Sequence, residues 1–144
     1  MKISTRTRYG LRIMIFLATK SQGSPVNVKE IASHEQITVK YTEQIIRMLK
    51  KAGYLNVSRG AKGGYSLKTD AYNTTVKDIF LLLEKDQKLL KCIGEDCCLH
   101  KASCSTYSFW VGLEKVIFDY LESRTIGQLA DDYLQRDAMP MFYI

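Results

Sequence analysis

Apolar residues recur at helical spacing over residues 4–21, where Leu11, Met14, Ile15, Leu17 and Ala18 share one face and Tyr9 and Phe16 extend it. Gln22-Gly-Ser-Pro25 breaks that pattern. Asn27-Val-Lys-Glu30 then has the spacing of a capping box and opens a short second helix burying Val28, Ile31 and Ala32. His34-Glu-Gln-Ile37 reads as the turn out of it. Thr38 is a suitable N-cap for a third helix over 39–52, with Tyr41, Ile45, Ile46, Met48 and Leu49 inward and Lys40, Glu43, Gln44, Arg47 and Lys51 outward. Gly53 closes it as a C-cap. The period then changes from helical to alternating. Tyr54–Ser58 and Tyr65–Lys68 read as two strands around a basic glycine-rich turn, Arg59-Gly-Ala-Lys-Gly-Gly64. Two helices joined by a tight turn and followed by a hairpin with a basic tip form a winged helix-turn-helix. The predicted fold is mostly α with a small β-hairpin wing.

The second half begins with another capping-box spacing, Thr75-Val-Lys-Asp78, ahead of a helix to about residue 87 that carries Val76, Ile79, Phe80, Leu82 and Leu83. Residues 92–104 show neither period and read as a loop. A long helix over 105–123 places Phe109, Trp110, Leu113, Val116, Ile117, Tyr120 and Leu121 in a stripe wider than one small core requires. That width predicts a long dimerisation helix pairing with its symmetry mate in a homodimer. A last helix follows Thr125, and the chain ends in Met141-Phe-Tyr-Ile144. The expected division is a DNA-binding domain over 1–72 and a sensor and dimerisation region with a C-terminal tail over 73–144.

Charge sharpens this division. Residues 1–68 hold 13 Lys or Arg against 3 Asp or Glu, whereas residues 69–144 hold 8 against 12. A basic half joined to a mildly acidic one suits a polyanion-binding module with a separate regulatory part. In a helix-turn-helix the N-terminal part of the second helix enters the major groove. The candidates there are Thr38, Lys40, Tyr41, Glu43 and Gln44. Gln44 suits adenine, Glu43 suits cytosine N4, and Lys40 suits guanine or phosphate. Arg59, Gly60 and Lys62 at the wing tip suit a minor groove, and Lys2, Thr5 and Arg6 suit phosphates. Double-stranded DNA is the expected partner. No Ser-His-Asp set, P-loop or dinucleotide fingerprint is present, and two histidines give little scope for acid–base catalysis, so the chain reads as no enzyme. The first residues lack the apolar stretch of a signal peptide, and Ile13–Ala18 is too short to span a bilayer, so a cytoplasmic location away from membranes is expected.

All four cysteines, Cys92, Cys97, Cys98 and Cys104, fall within 13 residues of polar sequence. In a reducing compartment such a cluster points to metal or redox chemistry rather than structural disulfides. Iron–sulfur clusters want thiolates, whereas zinc sites of this kind usually take two short C-x2-4-C or H-x3-5-H pairs and only one, Cys92-x4-Cys97, is present, which makes zinc the weaker reading. The metal-free alternative is a loop of reduced or disulfide-forming thiols. An electron carrier using the cluster would need neither a basic wing nor a groove-reading helix.

Ile3-Ser-Thr-Arg-Thr-Arg-Tyr-Gly10, Tyr41-Thr-Glu-Gln44 and Arg59-Gly-Ala-Lys-Gly-Gly-Tyr65 resemble the bacterial regulator family that includes IscR, NsrR and CymR, over nearly the whole chain. The resemblance implies a dimeric winged-helix repressor or activator of iron–sulfur, nitrosative-stress or cysteine metabolism genes. Cluster-binding members carry three cysteines at C-x5-C-x5-C, and Cys92, Cys98 and Cys104 match that spacing. The implied cofactor is an iron–sulfur cluster of the 2Fe–2S type. Tyr107 stands where some members supply a histidine, and Arg6, Arg8 and Arg12 occupy the first helix where others supply an acid. His100, Cys97 and a small thiol therefore stay open as the fourth ligand. The ending resembles that of CymR, which implies a second partner: O-acetylserine sulfhydrylase, whose active site would take Ile144 as carboxylate and anchor, with Phe142 and Tyr143 at its mouth.

Overall fold

The structure is a computed structural model and describes residues 3–85, 87–90, 92–93 and 101–138, apart from the side chains of 137 and 138. It is mostly helical with one small sheet, as the hydrophobic periods predict. Helix α1 spans Thr5–Ala18, α2 Val28–Glu35, α3 Val39–Lys51, α4 Val76–Leu83, α5 Tyr107–Glu122 and α6 Ile126–Ala138. Strands β1 (Leu55–Ser58) and β2 (Gly64–Leu67) pair antiparallel with Leu55 opposite Leu67 and Ser58 opposite Gly64. Short 3-10 turns occupy Thr69–Asn73 and Lys101–Ser103.

Caps set most helix starts. The Ser4 hydroxyl accepts from the Thr7 amide, Asn27 from Glu30 and Thr38 from Tyr41. At α4 the box is complete, because the Thr75 hydroxyl accepts from the Asp78 amide while the Asp78 carboxylate accepts from the Thr75 amide and hydroxyl. Thr125 and Gln128 exchange the same pair of bonds ahead of α6. The starts of α4 and α6 are also tied to each other, Val76 N–H donating to Arg124 O and Ile126 N–H to Thr74 O, each at 2.9 Å.

Strand ends and the ends of α3 and α5 lie within one or two residues of the sequence reading, and three other boundaries differ for a physical reason. Helix α1 stops at Ala18 rather than residue 21, with Thr19 as C-cap. Helix α2 continues to Glu35, and Gln36 takes the left-handed conformation (φ 56°) that turns the chain toward α3. Ile37 N–H then reaches back to Ala32 O at 3.0 Å, so the turn is a Schellman-type cap with glutamine where glycine is usual. Helix α4 ends at Leu83 rather than about 87, because Glu84 is extended and held by α1.

One core joins both ends of the chain. Ile13, Met14 and Leu17 of α1 are buried with Ile45, Ile46 and Leu49 of α3, Ile79 and Leu83 of α4, and Ile126 and Ala130 of α6. Gly10 lets α1 and α4 approach, since a Cβ there would lie 2.1 Å from Leu83 Cδ1. Val26 pairs with Tyr65 as a third edge of the wing sheet, Val26 N–H donating to Tyr65 O and Tyr65 N–H to Val26 O. Gly64 makes this possible, because a Cβ there would lie 2.3 Å from Val26 O. Among the described residues no helix is long and apolar enough to cross a membrane.

Candidate nucleic-acid interface and cysteine segment

Helix α3 is amphipathic because its apolar positions repeat at helical spacing. Thr42, Ile45, Ile46 and Leu49 are buried, and Lys40, Glu43, Gln44 and Arg47 stand exposed on the other side. Burying four side chains fixes the rotation of the helix, and so fixes which residues face outward. Thr38 is exposed, but its hydroxyl is already used as the N-cap acceptor. Tyr41 is half-buried, edge-on to Tyr9 with ring centroids 6.2 Å apart, so its ring belongs largely to the core. At the wing, Arg59, Gly60 and Lys62 are all exposed. The turn is closed by Gly63 N–H donating to Gly60 O at 2.9 Å.

The start of α1 is built differently from a simple phosphate clamp. Thr5 and Arg8 are exposed, and Lys2 lies outside the described residues. Arg6 is half-buried and its Nε donates to Leu83 O at 2.8 Å, capping the end of α4. Beside it Glu84 is only 8% exposed. Its Oε2 accepts from Thr7 Oγ1 at 2.6 Å and from Ser4 N–H and Ser4 Oγ at 3.1 Å. Burial pushes the Glu84 carboxyl pKa up. The Thr7 hydroxyl, the Ser4 backbone and hydroxyl and the Arg6 charge outweigh it and hold the pKa below the ordinary carboxylate value. Sequence reasoning missed both contacts. Each joins residues about eighty positions apart, and no local pattern announces them.

Glu84 is also where the chain leaves α4 for the cysteine segment. Leu89 N–H donates to Glu114 Oε1 of α5 at 2.9 Å, Cys92 is half-buried and Ile93 is buried. Cys104 is exposed at the foot of α5. Hydrogen bonds from the Thr106 hydroxyl, 3.6 Å away, and then from the Thr106 and Tyr107 backbone lower its thiol pKa. Cys97, Cys98 and His100 lie outside the described residues, as do Phe142, Tyr143 and Ile144. Among the described residues no group of three His, Cys, Asp or Glu side chains is disposed to hold a metal ion.

Helix α5 has no buried residue in the single chain. Phe118 meets Phe80 edge-on at 6.0 Å, while Phe109, Val116 and Tyr120 are 64%, 63% and 70% exposed. The outer half of the apolar stripe is thus uncovered.

An amphipathic α3 with a polar outer face, an exposed basic hairpin turn and a Glu84 latch on α1 ahead of the cysteines are the features set beside known proteins. A family model described as "Rrf2: Iron-dependent Transcriptional regulator" matches residues 3–132. The chain belongs to the Rrf2 family. As an Rrf2-family protein it is a DNA-binding transcriptional regulator and not an enzyme. It is 38% identical over 133 residues to protein rrf2 of Nitratidesulfovibrio vulgaris, covering 92% of this chain and 89% of that one. It is 33% identical over 132 residues to the HTH-type transcriptional regulator IscR of Vibrio vulnificus, covering 92% and 79%. Its structure is similar to that of CymR (YrzC), the global cysteine regulator of B. subtilis, with a TM-score of 0.76, 34% identity, and 92% and 98% of the two chains covered. Both relatives that the sequence motifs brought in, IscR and CymR, are therefore similar along nearly the full length of the Rrf2-family chain.

Proposed function

We propose that this Rrf2-family regulator is a homodimer that reads a near-palindromic operator, with α3 in the major groove and the wing in the adjacent minor groove. The observation that carries the reading is α3 itself. One side is sealed into the core, and the other presents Lys40, Glu43, Gln44 and Arg47 to solvent. Gln44 and Glu43 serve base recognition, Lys40 serves guanine or phosphate, Arg59 and Lys62 serve the minor groove, and Thr5 and Lys2 serve phosphates. Arg6 acts chiefly through Leu83. The uncovered stripe of α5 supports the dimer, because exposed apolar patches of this kind mark association surfaces. Residues 1–72 then form the reading half and 73–144 the sensing and pairing half. The test is operator titration. Gln44→Ala and Arg59→Ala should each weaken specific binding by about 1–3 kcal/mol, and unchanged affinity and sequence preference in both would refute the assignment.

For sensing, we propose that Cys92, Cys98 and Cys104 hold an iron–sulfur cluster. The acidified thiol of Cys104 and the iron-dependent description of the family support thiolate ligation. The cluster would supply an oxidisable, thiolate-bound iron centre. The chain's own part is mechanical. Glu84 is held by α1 and the Leu89 amide by Glu114 of α5, so reordering the cysteines biases both the reading half and the pairing helix. Protein purified anaerobically should be coloured and contain iron and sulfide, and alanine at any of the three positions should abolish both. Colourless protein after reconstitution selects the metal-free thiol reading. The similarity to a cysteine regulator favours a second reading, control by O-acetylserine sulfhydrylase through Phe142, Tyr143 and Ile144. A titration of that enzyme with the full chain and with a chain lacking Ile144 tests it, and equal affinity for both refutes it.

A further inference from the structure

Between α3 and the wing lies an open groove of about 290 Å³ lined by Glu43, Ile46, Arg47, Lys50 and Tyr65. Helical spacing creates its first wall. Glu43, Arg47 and Lys50 stand at i, i+4 and i+7 of α3, so one face carries all three outward, while Ile46 is buried and forms the floor. Tyr65 of β2, half-buried, is the opposite wall. Backbone hydrogen bonds fix the two walls. Tyr65 N–H donates to Val26 O at 2.8 Å and Val26 N–H to Tyr65 O at 2.9 Å, and the chain entering β1 is tied to the end of α3 by Tyr54 N–H donating to Leu49 O at 3.1 Å. The cations of the groove are uncommitted. Elsewhere Arg6 serves Leu83 O, and Arg12, Lys77 and Arg124 pair with Glu35, Glu122 and Asp132. Arg47 and Lys50 are exposed and have no ion pair or side-chain hydrogen bond among the described residues. Glu43, four residues before Arg47, is its natural helix partner, yet the two are not paired.

Distances along the helix say what this groove meets. At about 1.5 Å rise per residue, Arg47 stands about 6 Å and Lys50 about 10.5 Å beyond Glu43 along the axis. A helix that puts Glu43 and Gln44 on base edges, in a major groove about 8.5 Å deep and 12 Å wide, therefore brings Arg47 and Lys50 to the rim, where the phosphates are. The wing enters the neighbouring minor groove, and a single sugar–phosphate strand divides two neighbouring grooves of a duplex. We propose that the groove between α3 and the wing seats this dividing strand, with Arg47 and Lys50 on successive phosphates. Their separation of about 4.5 Å along the helix is close to the phosphate spacing of about 3.4 Å along one strand. Arg47 grips with its planar fork and Lys50 acts as a point charge, while Ile46 and Tyr65 back the sugars. A small anion is a poor occupant. Both cations are exposed, where one ion pair gains little, and Glu43 in the same groove repels it. A strand already held by Gln44 on one side and by Arg59 and Lys62 on the other meets a preformed seat at little ordering cost. The contacts carry no sequence information but set the register in which Glu43 and Gln44 meet their bases. With Arg47 on phosphate, Glu43 stays free for a base. This assignment rests on α3 being the DNA reader.

The experiment is a titration of the full-length protein across a salt series with two duplexes of equal length and composition. One is selected from a random pool by the wild-type protein and the other is its scrambled form. Arg47→Gln and Lys50→Gln remove charge at exposed positions with a good helix former, so the fold is not at stake, and their melting temperatures are the control. Each should lower affinity for both duplexes by the same factor, about threefold at moderate salt, leaving the ratio between them unchanged. Each should flatten the slope of log K against log salt by about 0.9 per protomer, or about 1.8 for a dimer on two half-sites. Arg47→Lys and Lys50→Arg, which keep the charge, should keep the slope. Gln44→Ala, run alongside, should weaken binding to the selected duplex without changing the slope. Unchanged slopes in both glutamine variants, while Gln44→Ala weakens the selected duplex, overturn the groove assignment alone. So does a fall confined to the selected duplex, which would make Arg47 and Lys50 base readers. No effect of Gln44→Ala or Arg59→Ala on either duplex instead overturns the operator reading, and the groove assignment with it.

Discussion

Replacing Glu84 by glutamine keeps the shape of the latch between α1 and α4 and removes its charge. One oxygen, Oε2, receives three bonds, from Ser4 N–H, Ser4 Oγ and Thr7 Oγ1. It also supplies the negative charge that the first turn of α1 lacks in its own sequence. Hydrogen bonds to a charged acceptor contribute about 1.5–3 kcal/mol each and neutral ones about 0.5–1.5. The helix-terminus charge adds about 0.3–1 kcal/mol. Glutamine is easier to bury, which offsets part of the loss, and a deficit of about 2 kcal/mol remains. For a chain of this size that lowers Tm by about 4–8 °C. The pH dependence is more diagnostic. The folded pKa of Glu84 lies below its unfolded value. Its contribution is therefore complete above the unfolded pKa, about 4.3, and is lost as pH falls through the folded value. Urea unfolding of wild type and Glu84→Gln, at one fixed protein concentration because association adds to stability, should show the full deficit at neutral pH. The two curves should converge in acid. A neutral-pH deficit below about 0.5 kcal/mol, the scatter of ordinary surface changes, would refute the reasoning, as would a deficit that does not change with pH.

Gly10→Ala should destabilise by about 1–3 kcal/mol in spite of alanine's better helix propensity, because its methyl would press into Leu83; a melting temperature at or above wild type would contradict this. Gln36→Gly should stabilise by up to about 1 kcal/mol by relieving the left-handed strain, read as a higher urea midpoint at unchanged m-value. Arg6→Ala should lower stability by about 1 kcal/mol through loss of the Leu83 cap, with a smaller effect on operator affinity than Arg59→Ala. Val116→Asp, in the uncovered stripe of α5, should shift sedimentation toward monomer, and an unchanged dimer would place the pairing surface elsewhere.

What was legible in the sequence was local. Asn27, Thr38 and Thr75 announced helix starts because a capping side chain needs only its own next three residues. The hairpin announced itself by alternation, and the outward set Lys40, Glu43, Gln44 and Arg47 by the apolar spacing opposite it. Glu35 was half legible. Val28, Ile31, Ala32 and Glu35 follow one helical face, so the pattern already put that carboxylate inward, and reading 34–37 as a turn hid it. Glu84, Arg6 and Gly10 were opaque, since their partners lie across the fold. The cysteine segment carries donor chemistry without periodicity, so its composition was readable and its placement was not.

The packing of α6 on α1 also sets an order of events during synthesis. Ile126 and Ala130 are buried in the same core as Ile13 and Leu17, and Tyr72 Oη donates to Ala18 O from the turn that α6 covers. Helix α1 must therefore wait for α6 before its apolar face is closed. At roughly 5–20 residues per second on the ribosome that delay is several seconds. Over that interval α3 already has its neighbours α1, α2 and β1, and only the α6 side of α1 stays open. A chain cut short before α6 thus keeps an assembled helix-turn-helix and hairpin over a core left open on one side, and α6 works as the lid that completes it.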